Sequence, residues 1–284
     1  MIERKLIGVY FPKGAETGGP EALHQLVDSL RRHGIPAVLI PMPGTEGNTP
    51  VEQYRPYNAP IDVYTQNLTH VVVPEICPEL LKLHPNAKKY VWWLAAGDPT
   101  GLEHYSHLAQ SKYAQQELKK RGIEAKMLSD YTSFLDDFEN EPGEKRGIAY
   151  NANKGAEYVE PVKALLPDVE FIPINGMSRS QVLKTLSDAN AYLDLGHHPG
   201  KDRMPREAAA LGCVVVTSTV GSASVYKDVP IAEKVLRDDP ESVARVVESI
   251  NSDALTFWTK QRSYREKVFA EPYVFDNEVR EIFG

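Results

Sequence analysis

Cysteine is nearly absent: the 284 residues hold two, Cys77 and Cys213. They lie far apart and outside any metal-type spacing, which excludes a disulfide scaffold or a thiolate metal cluster and leaves two small buried hydrophobes. No apolar run approaches the roughly 20 residues of a membrane span, and the opening "MIERKLIGVYF" lacks the apolar core of a signal peptide. A cytoplasmic location without stable membrane insertion is therefore expected. Positive charge is not in excess either: 32 Lys and Arg stand against 39 Asp and Glu, a formal net charge of −7. That balance excludes a broad basic footprint for nucleic acid or anionic membrane, while a local basic cleft stays compatible with it. No G-x-G-x-x-G dinucleotide fingerprint, D-x-D triplet, internal repeat, low-complexity tract or heptad pattern occurs.

What is present reads as a globular chain long enough for two domains, with 42% hydrophobic and 25% charged residues. Strand-like apolar runs alternate with helical patterns. "KLIGVYF" (5–11) precedes the amphipathic "EALHQLVDSLRRHG" (21–34), ended by Gly34. "PAVLIP" (36–41), "THVVVPE" (69–75) with a helical "CPELLKLH" (77–84), "KKYVWWLA" (88–95) and "YSHLAQS" (105–111) leading into "KYAQQELKKRG" (112–122) follow. The acidic "YTSFLDDFENEPGEKR" (131–146) looks like an interdomain connection. The alternation then restarts with "GIAYN" (147–151), "GAEYVEPVKALLP" (155–167), "VEFIPI" (169–174), "SRSQVLKTLSDA" (178–189), "AYLDLG" (191–196), a helix near 205–211 and "CVVVTS" (213–218). The tail from Pro240 is largely helical, and its aromatics Phe257, Trp258, Tyr264, Phe269 and Tyr273 suit a return over the first domain as well as plain core packing. The predicted fold class is α/β: two Rossmann-like parallel-sheet domains facing a central cleft, with a helical C-terminal tail. The expected boundaries are 1–140, 141–265 and a crossing helix at 266–284.

In open parallel sheets ligands gather at the carboxyl ends of the strands, so the loops leaving strands matter most. Gly18 and Gly19 follow the first strand and open a helix, where backbone amides can approach an anion or a sugar; a plain tight turn explains them nearly as well. Lys154, with Gly155 opening the next helix, stands after the first strand of the second half and can neutralise a phosphate; a solvated surface lysine is the equal alternative. The third loop, "HHPGKDRMPRE", crowds Lys201, Arg203 and Arg206 at the start of a helix, where cations oppose the macrodipole unless an anion is present. Glu207 can face the same place and accept hydrogen bonds from vicinal hydroxyls. Ion pairs with acids of the linker are the competing reading, set second because Ala208 to Ala210 and Gly221-Ser222-Ala223 clear space for a ligand. A metal site at His197-His198 is not expected, since adjacent histidines seldom both reach one ion.

The Gly-Gly loop, "SKYAQQELKKRG", a linker, "NKG", "MSRSQVLKTLSDANAYLDLG", "PREAAALGCVVVTSTVGSA" and a long aromatic helical tail together resemble the GT-B glycosyltransferases, and within them the retaining group called family 4. The resemblance spans nearly the whole chain and is strongest from about 146 to 230. It implies that Lys154 and a nearby arginine bind the donor diphosphate and that Glu207, second acid of a Glu-x7-Glu motif, holds the ribose. It also places Gly221 and Ser222 beside the donor, and makes Gly18-Gly19 the loop of the acceptor-side domain that touches the phosphates. Pro199 stands where the first glutamate of that motif belongs, and His197, His198, Lys201, Asp202 and Arg203 fill the loop instead. The implied activity is transfer of a sugar from a UDP- or GDP-sugar to an acceptor hydroxyl, with retention of configuration and with Lys154 and Arg203 or Arg206 in place of a divalent ion. No cofactor is implied beyond that donor substrate. Glu75, Asp98 and His104 are the candidates for the catalytic base. A sugar-nucleotide epimerase or hydrolase on the same frame, or a non-catalytic nucleotide- or glycan-binding subunit, are the alternatives. The acceptor and the oligomeric state stay open, a nucleic-acid acceptor being disfavoured by the net acidity.

Overall fold

The computed structural model of the chain describes residues 5–63, 67–133 and 145–284. Most of the acidic connection, and with it the expected boundary at 140, lies outside the described residues. The chain divides into two compact units, Met1–Tyr131 with Pro272–Gly284, and Thr132–Glu271. Among the described residues no helix is long and apolar enough to cross a membrane.

The first unit is built on six parallel strands: β1 (Ile7–Phe11), β2 (Ala37–Pro41), β3 (His70–Pro74), β4 (Lys88–Trp93), β5 (Ser106–Ala109) and β6 (Ala125–Met127). Their order is β2-β1-β3-β4-β5-β6. The strands read as unbroken apolar runs because both faces of the sheet are covered; β1 buries all five of its residues. On one face Val9, Val72 and Trp92 meet Leu23, Leu26 and Leu30 of helix α1 (Gly18–Arg32). On the other, Val71, Val73 and Trp93 meet Leu118 of helix α2 (Lys112–Lys120). The helical pattern expected at 77–84 appears as a 3-10 segment, Pro78–Leu83. With Pro78 and Pro85 so close together, the segment is too short to propagate an α-helix.

The second unit has five parallel strands, β7 (Ile148–Asn151), β8 (Phe171–Ile174), β9 (Ala191–Asp194), β10 (Val214–Ser218) and β11 (Lys234–Val235), in the order β11-β10-β9-β7-β8. Helices α3 (Ala156–Leu165), α4 (Arg179–Asp188), α5 (Arg203–Ala210), α6 (Pro240–Ser252) and α7 (Ala254–Lys260) surround it. Helix α4 starts on a reciprocal capping box between Ser178 and Gln181. Ala208 to Ala210 of α5 are buried in the same core cluster as Val215 and Tyr192, where side chains of one carbon let helix and sheet approach closely. The amide of Gln261 extends the sheet pairing, accepting from Val215 N at 2.8 Å and donating to Val215 O at 2.7 Å.

Helix α8 (Arg262–Phe283) contributes to both units. Tyr264 and Val268 join the core of the second, and Phe275, Val279 and Phe283 join that of the first. Pro272, which has no N–H to give Val268, falls where one unit ends and the other resumes. The far half is fastened by charge as well as by apolar burial. Arg32 donates to both oxygens of Asp276 at 2.8 Å, Ser29 Oγ to Asp276 Oδ1 at 2.6 Å, and Ser129 N to Glu278 Oε2 at 2.6 Å.

Burial alone would raise the Asp276 carboxyl; the hydrogen bonds from Arg32 and Ser29 outweigh it and hold the group below its usual range. A carboxyl lowered in the folded state stabilises above its unfolded value, near 3.9, and that contribution is lost as pH falls through the folded value. Asp276→Asn is therefore expected to lower Tm at neutral pH by a few degrees, about 1 kcal/mol after allowance for solvent screening. Melts followed across the acid range should show the difference closing below roughly pH 4.

Candidate functional site

The strand order of the second unit reverses at β7, which has β8 on one side and β9 on the other. The crevice outside the carboxyl ends of two such strands is where open parallel sheets bind ligands. The loops leaving β7, β9 and β10 interlock there. Gly155 takes a φ of +83°, and a Cβ on it would stand 2.6 Å from Gly196 N. A Cβ on Gly196 would stand 2.6 Å from Lys154 Cγ, so the lysine stem runs across bare backbone. Gly221, at φ +67°, lies so near His198 that a Cβ would come within 2.0 Å of its carbonyl oxygen. Ser222 N donates to that oxygen at 2.8 Å, Ser222 Oγ donates to Gly200 O, and Ser218 Oγ donates to Gly196 O at 3.0 Å. Gly221 and Ser222 thus act on the 196–200 loop itself.

The charged groups on this scaffold are paired. The Lys154 ammonium contacts Asp202 Oδ2, and the two side chains are 28% and 23% exposed. Asp202 is also the residue ahead of α5, so a carboxylate sits where the macrodipole favours one. Lys201 and Arg206 are buried. Lys201 Nζ lies 3.0 Å from Glu271 Oε1 and Arg206 Nη1 2.9 Å from Glu271 Oε2, while Arg206 Nη2 donates to Lys201 O at 2.8 Å. The cations expected to await an anion at this helix start are in part neutralised by an acid from α8; Arg203, the first residue of α5, stays partly exposed. Lys267 completes the cluster: burial, then the neighbouring Lys201, pull its ammonium down to about 8.

Glu207 is fully buried, its Oε1 2.5 Å from Arg179 Nη1. Its Oε2 and the Nε and Nη2 of Arg179 take no hydrogen bond among the described residues. Arg179 is absent from the sequence-derived candidates, although it opens α4 as Arg203 opens α5 and gives the same signal. A second group without a sequence signal closes β9. Asp194 accepts from Tyr192 Oη at 2.9 Å and from Gly196 N at 3.1 Å, with His198 Nε2 3.1 Å from its Oδ1. Burial would raise this carboxyl; His198 first, then Lys154 and Tyr192, bring it below its usual range.

In the first unit the order reverses at β1, between β2 and β3. Gly18 and Gly19 begin α1 after β1, and Glu75 follows β3, so both lie at carboxyl ends flanking that reversal. The first turn of α1 already holds an acid of its own, the buried Glu21, which accepts from Tyr57 Oη at 2.7 Å. The three candidate bases differ sharply in environment. Glu75 accepts from Leu94 N at 3.0 Å and Ala95 N at 3.1 Å, and burial nonetheless raises its carboxyl. Asp98 is exposed; bonds from Thr100 and, more weakly, the charge of Arg121 hold it low, with Arg121 Nη1 2.6 Å away. His104 is exposed, its ring centroid 3.9 Å from that of Tyr105.

No family model matches the chain, and no curated protein matches it in sequence. Solved structures do match it in shape. Sucrose-phosphate synthase from Thermosynechococcus elongatus aligns over 99% of this chain and 98% of its own, at a TM-score of 0.74 and 13% identity. A glycosyltransferase from Rickettsia africae aligns over 98% and 97%, at 0.73 and 13%. An alpha,alpha-trehalose-phosphate synthase (UDP-forming) from Burkholderia vietnamiensis aligns over 98% of each chain, at 0.63 and 11%. At these identities the likeness establishes the fold: this chain has the GT-B fold, two parallel α/β units with a C-terminal helix.

Proposed function

We propose that the second unit binds the diphosphate of a nucleotide sugar and that the chain transfers the sugar to an acceptor hydroxyl. The observation that carries this is Lys154, laid over Gly196 at the β7–β9 reversal with its ammonium held by the partly exposed Asp202. A carboxylate so placed can yield to a phosphate oxygen, which makes a charge-assisted bond of the same kind. Arg203 and the amides at the start of α5 add to that stabilisation. As the sugar–phosphate bond breaks, negative charge grows on the leaving diphosphate, and cations fixed beforehand lower the barrier. Glu207 suits the ribose: its buried Oε2 is an acceptor awaiting a hydroxyl, and Arg179, in contact with Oε1, orients the carboxylate.

The likeness in fold to sucrose-phosphate synthase and to the UDP-forming synthase supports a nucleotide sugar as the donor. The Lys154-Gly155 pair and Glu207 support the family 4 reading and retention of configuration, with Pro199 marking the departure from its motif. In this proposal the acceptor meets the first unit, where Glu75 is the best placed base. Its raised carboxyl sits at a strand end, and the backbone amides of Leu94 and Ala95 hold it in place.

Thermal melts with UDP- and GDP-sugars test the donor site. One donor at about 100 times its Kd should add about 2.7 kcal/mol of apparent stability. Lys154→Met should weaken that binding about tenfold or more, and Glu207→Gln likewise. A chain whose melting no nucleotide sugar moves would refute the reading. Product analysis separates transfer from epimerisation or hydrolysis, since only transfer needs the acceptor. Glu75→Gln is expected to cut kcat about a hundredfold or more while leaving donor affinity unchanged; an equal loss of donor affinity would place Glu75 outside catalysis.

A further inference from the structure

We infer that Asp194, His198 and Asp202 form a binding site for one divalent cation of the manganese type. One ligand atom from each of the three lies within 4.8 Å of the others. The spacing is D-x3-H-x3-D, carried by the end of β9 and the loop to α5. His197 is not part of it: that residue is exposed, and the ligands that join His198 come from four residues before and four after. The expectation of catalysis without a divalent ion rested on the missing D-x-D triplet and on Lys154 with Arg203 or Arg206 in the ion's place, and the adjacency of histidines concerned His197 and His198 only.

The buried pair carries most of the inference. Asp194 and His198 are 2% and 1% exposed. His198 Nε2 stands 3.1 Å from Asp194 Oδ1, and that nitrogen makes no hydrogen bond of ordinary geometry among the described residues. Two atoms that share a metal ion aim their lone pairs at a third point, and bonds of about 2.1 to 2.2 Å at a right angle separate the ligands by about 3 Å.

The surroundings hold the ligands as metal sites do, through hydrogen bonds behind them. Tyr192 Oη and Gly196 N fix the Asp194 carboxylate, and Ser222 N fixes the His198 backbone. Asp202, partly exposed, is the ligand through which an ion would enter. Two carboxylate oxygens and one imidazole nitrogen are a mixed hard and borderline set, suited to Mn2+ better than to Mg2+ or Ca2+. Three protein ligands leave positions of an octahedral ion for phosphate oxygens or water.

The Lys154 ammonium is the competitor. It neutralises Asp202 in the arrangement described above, so a cation that takes Asp202 releases the lysine. Cation and lysine would then both face an incoming diphosphate, which extends the proposed donor site without depending on it.

Manganese binding by the chelator-treated full chain, read from the loss of the free Mn2+ electron paramagnetic resonance signal with no nucleotide present, tests the site. One saturable Mn2+ per chain is expected, with affinity lowered about tenfold or more in Asp202→Asn and in His198→Gln. Lys154→Met should do the opposite and tighten Mn2+ several-fold, a change that a damaged fold would not produce. Circular dichroism confirms that each variant is folded, and the partly exposed Asp202 carries the test should His198→Gln fail to fold. No saturable binding, or binding equal in wild type and both ligand variants, overturns the inference. A donor that still shifts the melting temperature under chelation shows that the donor reading survives such a failure.

Discussion

Backbone against backbone, at the carboxyl ends of three parallel strands, is the constraint on which the candidate site depends. Gly155 on Gly196 and Gly221 on His198 approach so closely that one added carbon on either glycine would meet main-chain atoms inside 3 Å. That contact sets the path of the 196–202 loop, and the path sets the position of every charged group the loop carries. Lys154 crosses Gly196 because nothing projects from it. The same economy of side chains recurs in Ala208 to Ala210, which bring α5 down onto the sheet and its first turn to the loop.

The second feature is how the buried charges are balanced. An ionised group inside a protein is tolerated when another charge and further hydrogen bonds offset its lost hydration. Glu271 serves Lys201 and Arg206 together, Arg179 serves Glu207, and Asp202 serves Lys154. These pairs are unequal. Those of Glu271 and Glu207 hold at least one fully buried member, whereas Lys154 and Asp202 each keep a quarter or so of their surface in water. Exchange of partners is cheapest at that last pair, so both the diphosphate proposal and the cation proposal converge on it. Glu271 also ties the loop to α8 immediately before Pro272, where the helix passes from one unit to the other.

Much of the fold was legible because buried parallel strands are continuous apolar runs. "IGVYF", "HVVVP" and "VVVTS" announce themselves, and the helices between them end on recognisable caps. The edge strands β6 and β11 did not, since three residues and two residues, each with a lysine, carry no periodicity. Of the site, Lys154, Arg203 and Glu207 could be placed from their distance to strand ends and helix starts. Their partners were out of reach. Glu271 lies 65 residues beyond Arg206, and sequence position says nothing of which acid a buried cation will meet. Asp194 was hidden differently, as a polar residue closing a buried strand where its chemistry shows only once His198 is folded back over it. Arg179 was the one omission that the rule applied to α5 could have caught.

The central claim is that one ligand engages all three interlocked loops at the β7–β9 reversal. Hydrogen–deuterium exchange of the full chain with and without a nucleotide sugar measures this most directly. The account predicts that backbone amides in 151–156, 196–207 and 218–224 slow together when the donor is added. Slowing confined to other segments, or an unchanged pattern in these loops with donor demonstrably bound, would contradict it.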